Sequence, residues 1–121
     1  MIRGNPLLSE SSGGRPIMVT ATASTGTLIH QTDTSATVYH RVYLYAVNHS
    51  TTGDVLLTVE WGGTSSGDRV EVPVPSQLGA LPVIDNWPLA GTGAAVRNIR
   101  AYAGTGGLVS LGGWVNAHTT S

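Results

Sequence analysis

Thr37 to His49 reads TVYHRVYLYAVNH, Ser50-Thr51-Thr52-Gly53 follows, and Asp54 to Trp61 reads DVLLTVEW. β-branched and aromatic residues fill both arms, and the four residues between them have the small polar chemistry of a tight turn. The pattern predicts two long strands joined as a hairpin. Both arms exceed the usual five or six residues of a strand, so this pair is expected to anchor a β-fold. In the first arm Val38, Val42, Leu44 and Ala46 share one face, interrupted by His40, while Tyr39, Tyr43, Tyr45 and Val47 share the other, interrupted by Arg41. A strand apolar on both faces is expected to be central. One face would meet the core, and the other a second layer or a subunit interface.

The remaining chain reads the same way. Ile17, Val19, Ala21 and Ala23 share one face with Met18, Thr20 and Thr22 on the other, Ser24-Thr25-Gly26 turns the chain, and Thr27 to Gln31 is a further short strand. Arg69 to Val74 alternates cleanly, and Pro73 places that strand at an edge or marks its end. The stretch from Pro75 to Gly93, with Pro82 and Pro88, is expected to be an extended crossover. Ala95 to Ala103 and Leu108 to Asn116 are expected to form a second hairpin, with Gly112-Gly113 marking a bulge or a close backbone contact. No segment carries capped apolar residues at helical spacing over two turns. The expectation is all-β: a single antiparallel β-sandwich of seven to eight strands, jelly-roll-like, over residues 15–121. Residues 1–14, rich in Ser and Gly, are expected to be a flexible N-terminal arm.

Composition narrows the function. A chain of 121 residues supports one core. Charged residues are 11 % and the formal net charge is −1, which gives no electrostatic footprint for nucleic acid or an anionic membrane. All six basic residues are arginine, at 3, 15, 41, 69, 97 and 100, so Schiff-base chemistry and a P-loop lysine are excluded. Cysteine is absent, which excludes disulfides and thiolate catalysis. The N-terminus has no apolar signal-peptide core, so synthesis in a cytoplasm is expected.

Catalytic patterns do not assemble. Gly63-Thr64-Ser65-Ser66-Gly67 matches the nucleophile-elbow pattern, but it joins two strands with no following helix. His30, His40, His49 and His118 lack metal-ligand spacing, and His40 reads as a hydrogen-bonded core or interface residue. Glu60 and Glu71 read as outward-facing, paired with Arg69 or Arg97. Asn48-His49-Ser50 matches a glycosylation sequon by chance. No catalytic residue, metal or cofactor is expected.

The aromatic residues suggest a surface. Tyr39, Tyr43 and Tyr45 line a strand face in a chain with little length left to cover it, and tyrosine is enriched at interfaces. Leu7 and Leu8 would anchor the arm, with Arg3 and Arg15 as its charged contacts. Trp87 completes the candidate interface.

The segment AVRNIRAYAGTGGLVSLGGWVN, residues 95 to 116, is similar to the C-terminal hairpin of small β-sandwich virion proteins of tailed bacteriophages, nearest the head decoration (cement) proteins. At the level of strand rhythm the likeness runs from about residue 17 to 117. The resemblance implies a jelly-roll or related sandwich, often trimeric, that binds the major capsid protein lattice on the head surface and stabilises it without catalysis. It carries no functional residues across. Two other expectations stand beside it: a neck, tail or fibre component of a phage virion, and a carbohydrate-binding sandwich in which Trp61 or Trp87 stacks on a sugar.

Overall fold

The computed structural model describes residues 6–119. Arg3 lies outside them. Eight strands run in chain order: β1 (Ile17–Val19), β2 (Thr27–Gln31), β3 (Val38–Asn48), β4 (Val55–Trp61), β5 (Arg69–Val74), β6 (Leu81–Ala90), β7 (Asn98–Ala103) and β8 (Val109–Thr119). They form two four-stranded sheets, ordered β1-β8-β3-β6 and β2-β7-β4-β5. All pairings are antiparallel. Every connection except β4 to β5 passes from one sheet to the other. That is the jelly-roll arrangement of a β-sandwich.

Both predicted hairpins are therefore corrected. β3 pairs with β8 along its whole length and with β6 on its other side, while β4 pairs with β5 and β7. The Ser50–Gly53 turn carries the chain across the sandwich, as does the turn between β7 and β8. The crossing is organised by Asn48, which is buried at the end of β3. Its Nδ2 donates to the carbonyls of Gly53 (3.0 Å) and Val74 (2.8 Å), and its Oδ1 accepts the Ser50 amide (2.8 Å). Both amide protons of the sequon asparagine are thus committed inside the fold.

β3 is central, as its two apolar faces require. Val42, Leu44 and Ala46 are fully buried and meet Leu57, Val59 and Ala101 of the opposite sheet in one core. The expected crossover at 75–93 is instead largely a ten-residue strand, β6. Pro82 and Pro88 are accommodated because β6 is an edge strand, where a missing N–H costs no ladder bond. Pro73 likewise lies on edge strand β5.

Of the arm expected over residues 1–14, residues 6–11 are packed against the domain. Leu8 is 2 % exposed and belongs to the core, and the Pro6 carbonyl accepts the Val115 amide at 2.9 Å. Leucine side chains of this kind drive burial at about 2 kcal/mol each, which outweighs the polar composition around it.

Glu60 is the second correction. Strand alternation puts it on the outer face of its sheet, yet it is fully buried. The loop between β1 and β2 folds over it: Ser24 Oγ donates to Oε2 (2.6 Å) and the Gly26 amide to Oε1 (2.8 Å). Arg100, opposite Glu60 in the ladder, holds the same loop by donating to the Gly26 carbonyl (3.2 Å). The carboxylate takes its hydrogen bonds from the loop and not from Arg69 or Arg97. Glu71 is exposed.

Candidate functional site: an aromatic strip on the outer sheet face

Because Val42, Leu44 and Ala46 point into the core, Tyr39, Arg41, Tyr43 and Tyr45 point away from both sheets. Residues directly opposite one another on paired strands share a face. The β3–β8 register sets Tyr39 opposite His118, Arg41 opposite Asn116, Tyr43 opposite Trp114 and Tyr45 opposite Gly112. The rings use this register. Tyr43 and Trp114 stack with centroids 4.7 Å apart and planes at 17°, and Tyr45 stacks on the same indole at 5.7 Å and 22°. At the other end Tyr39 stacks on His118 at 5.4 Å and 17°.

Arg41 lies between the two clusters along β3 and contacts the first of them. Its guanidinium carbon lies 5.5 Å from the Tyr39 ring centre, a cation–π contact, and its Nη1 donates to Asn86 Oδ1 at 3.3 Å. The tyrosines are half-buried by their neighbours, whereas Trp114 remains 41 % exposed. From Tyr39 to Tyr45 the strip is about 20 Å long, and two strands make it about 10 Å wide. Tyr45 therefore has no side chain directly opposite it on β8, where Gly112 stands.

The other sequence candidates do not join the strip. Leu8 is core, Leu7 is half-buried and Arg15 is exposed. Trp87 pairs with Val42, whose side chain faces inwards, and it meets Trp61 of the opposite sheet edge-on at 5.5 Å and 86°. It is 42 % exposed at the rim of the sandwich. Beyond Trp61, a half-open hollow of about 120 Å³ is lined by Gly62, Gly63, Thr64, Val96, Arg97, Asn98 and Arg100. Trp114, His118 and Arg41 are the strip residues that sequence reasoning missed. Arg41 was visible as the polar member of the tyrosine face. The other two could be found only from the β3–β8 register.

The histidines are all engaged. His30 Nε2 and His40 Nδ1 are hydrogen-bonded across the two sheets at 2.8 Å, as the burial of His40 on an aliphatic face anticipated. His49 Nε2 bonds Ser110 Oγ at 2.9 Å. Ser65 of the elbow-like pentapeptide precedes a single 3-10 turn, Ser66–Asp68, and its amide donates to Asp68 Oδ2 at 3.1 Å. No group of three or more His, Asp or Glu side chains placed to hold a metal occurs among the described residues.

No family model matches this chain, and no curated protein or solved structure does. The chemistry of the strip therefore carries the functional reading. It is rich in the three residue types that dominate binding energy at protein interfaces, Tyr, Trp and Arg.

Proposed function

We propose that this protein is a non-enzymatic structural component of a virion, of the head-decoration class, which docks on the major capsid protein lattice through the Tyr39–Tyr45 strip. The observation that supports the reading is the ladder of Tyr43, Trp114 and Tyr45 with Arg41 and Tyr39 on an outer face that neither sheet covers. Its size matters. A strip of about 200 Å² is a quarter of the ~800 Å² that each partner commonly contributes to a stable complex. Such a patch works as the anchor of a wider contact, or as a weak contact repeated many times over a lattice or within a trimer, where linkage multiplies it. An exposed strip of this kind on a rigid, low-charge sandwich suits a repeating protein shell.

The test is Tyr43→Ser combined with Tyr45→Ser. Both side chains lie outside the core, so the variant should keep the fold and its cooperative unfolding. Loss of two interface anchors should weaken co-sedimentation with capsid particles by about 100-fold or more. A folded double variant that binds as tightly as the parent would sink the proposal. Removing residues 1–14 is a poor substitute, because it also takes Leu8 out of the core. Rings or fibres of the purified chain, in place of lattice-bound oligomers, would favour the neck, tail or fibre reading.

A carbohydrate-binding function is the second reading, supported by the exposed Trp87 and the hollow that begins at Gly62. Loss of glycan binding in Trp87→Ala, with the tyrosine strip intact, would favour it.

A further inference from the structure

Residues 6–12 run across one open side of the sandwich. The Pro6 carbonyl is bonded to β8 of one sheet, and the Glu10 amide donates to the Ile29 carbonyl (3.4 Å) on β2 of the other. Leu8 fills the space between, and the amide and hydroxyl of Ser11 both return to the Leu8 carbonyl (3.0 and 2.8 Å). The middle of the segment is held by a titratable pair. The Ser9 amide donates to His30 Nδ1 at 2.9 Å, and Ser9 Oγ accepts the Gln31 amide at 2.8 Å.

These contacts fix the protons. His30 Nδ1 accepts from an amide, so the neutral ring carries its hydrogen on Nε2. That hydrogen is donated to His40 Nδ1 at 2.8 Å, which leaves the His40 hydrogen on Nε2. The chain Ser9 N–H to His30 to His40 exists only while both rings are neutral. A proton added to His30 must take Nδ1 and expel the Ser9 amide. A proton added to His40 must take Nδ1 and break the bond between the rings.

We propose that the His30–His40 couple is a proton-sensitive latch, which holds residues 6–12 across the sandwich at neutral pH and releases them in acid. The hinge is at hand, since Gly13 and Gly14 follow with φ of 62° and 90°. The surroundings favour the neutral rings. Burial, and then the neighbouring His40, push His30 down to about 4 from 6.5. Burial also lowers His40, while Asp33 from the loop after β2 opposes that shift. Glu10, the carboxylate of the segment itself, accepts from Ser9 Oγ at 3.2 Å. Arg97, ahead of β7, lies beyond Thr32, whose amide its carbonyl accepts (3.0 Å). On β3, Tyr39 and Arg41 point to the opposite face.

The sign follows from linkage. With the segment off, His30 is exposed to water and takes a proton near its ordinary value, so acid favours the open state. The latch is at full strength above about pH 6.5, weakens by up to about tenfold per pH unit below that, and levels off near pH 4.

Amide hydrogen exchange on the full chain between pH 7 and 4.5 tests this, with rates divided by their intrinsic pH dependence. Protection at Ser9, Glu10 and Gln31 should fall by up to about tenfold per unit below pH 6.5, while that of Leu44 and Val59 holds. His30→Asn, whose side-chain oxygen can accept the Ser9 amide without titrating, should flatten the profile. Flat protection in the parent chain, or a fall shared equally by the core strands, would overturn the latch. Should His30→Asn not fold, imidazole nitrogen NMR of the parent chain decides: the hydrogen is expected on Nε2 of His30, and finding it on Nδ1 would end the proposal.

Discussion

Gly113→Ala is expected to remove the cooperative unfolding transition, or to cost at least about 4 kcal/mol, which is the exceptional end of the range for a single substitution. Gly113 lies opposite Leu44 in the middle of the β3–β8 ladder, with φ of 153°. A Cβ built there falls on the carbonyl oxygen of Tyr43 and comes within 3.2 Å of the Leu44 Cα. Both are backbone of the central strand, so no side chain can swing aside to relieve the clash. The strands would have to part where the sheet is most deeply packed, carrying Trp114 away from Tyr43. Since domains of this size are stable by only about 5–15 kcal/mol, that disruption consumes much of the margin. Gly112→Ala is the control. Its Cβ would meet only Pro16 side-chain carbons at 3.9 and 4.0 Å, ordinary contact distances, and it should change stability by less than about 1 kcal/mol. Urea titrations of the two variants, with near-ultraviolet circular dichroism to follow the indoles, make the comparison. Equal stability of the two would contradict the register that places Gly113 against Tyr43.

Glu60→Ala is expected to destabilise the domain by about 2–3 kcal/mol. The buried carboxylate accepts from the Ser24 hydroxyl and the Gly26 amide. Alanine would leave the buried Gly26 amide without a partner, while the exposed Ser24 hydroxyl can turn to water. It would also leave Arg100 facing an empty position in the ladder. Glu60→Gln keeps one carbonyl oxygen for Gly26, and the Ser24 hydroxyl can turn to accept from the new amide. A smaller loss of about 1–2 kcal/mol is expected there. Denaturant midpoints measure both. A Glu60→Ala loss below about 1 kcal/mol would mean that the β1–β2 loop does not depend on this carboxylate. These two substitutions probe opposite sheets by different means, one through backbone crowding and the other through an unsatisfied donor.

Strand positions were legible in the sequence because alternation and turn chemistry are local. β2 and β4 match their expected spans, and β3 is central for the reason its two apolar faces gave. Pairing was not legible. A turn such as Ser50–Gly53 satisfies its residues equally well whether the next strand lies beside the last one or across the core. Asn48 decides for the crossing, through bonds to Val74, a residue far along the chain. β6 was hidden by Pro82 and Pro88, which count against a strand only if it is internal. Glu60 obeys alternation but not the exposure that alternation implies, because a loop from elsewhere covers it. The tyrosine face was readable as a surface from β3 alone. Trp114 and His118 joined it only through a partner strand distant in sequence, and Trp87 left it because its register sets it opposite the inward-facing Val42.

The pairing of β8 with both β1 and β3 also sets the order of events during synthesis. Only β4 and β5 are sequence neighbours that also pair, so most ladders close loops of tens of residues, and folding on the millisecond-to-second scale is expected. The sheet that carries the aromatic strip has no contiguous middle until β8 exists. Its last strand ends at Thr119. A nascent chain lacking those final residues would therefore leave β1 without a partner and β3 paired only with β6. In this domain the aromatic surface and the core are therefore both completed by the same late strand.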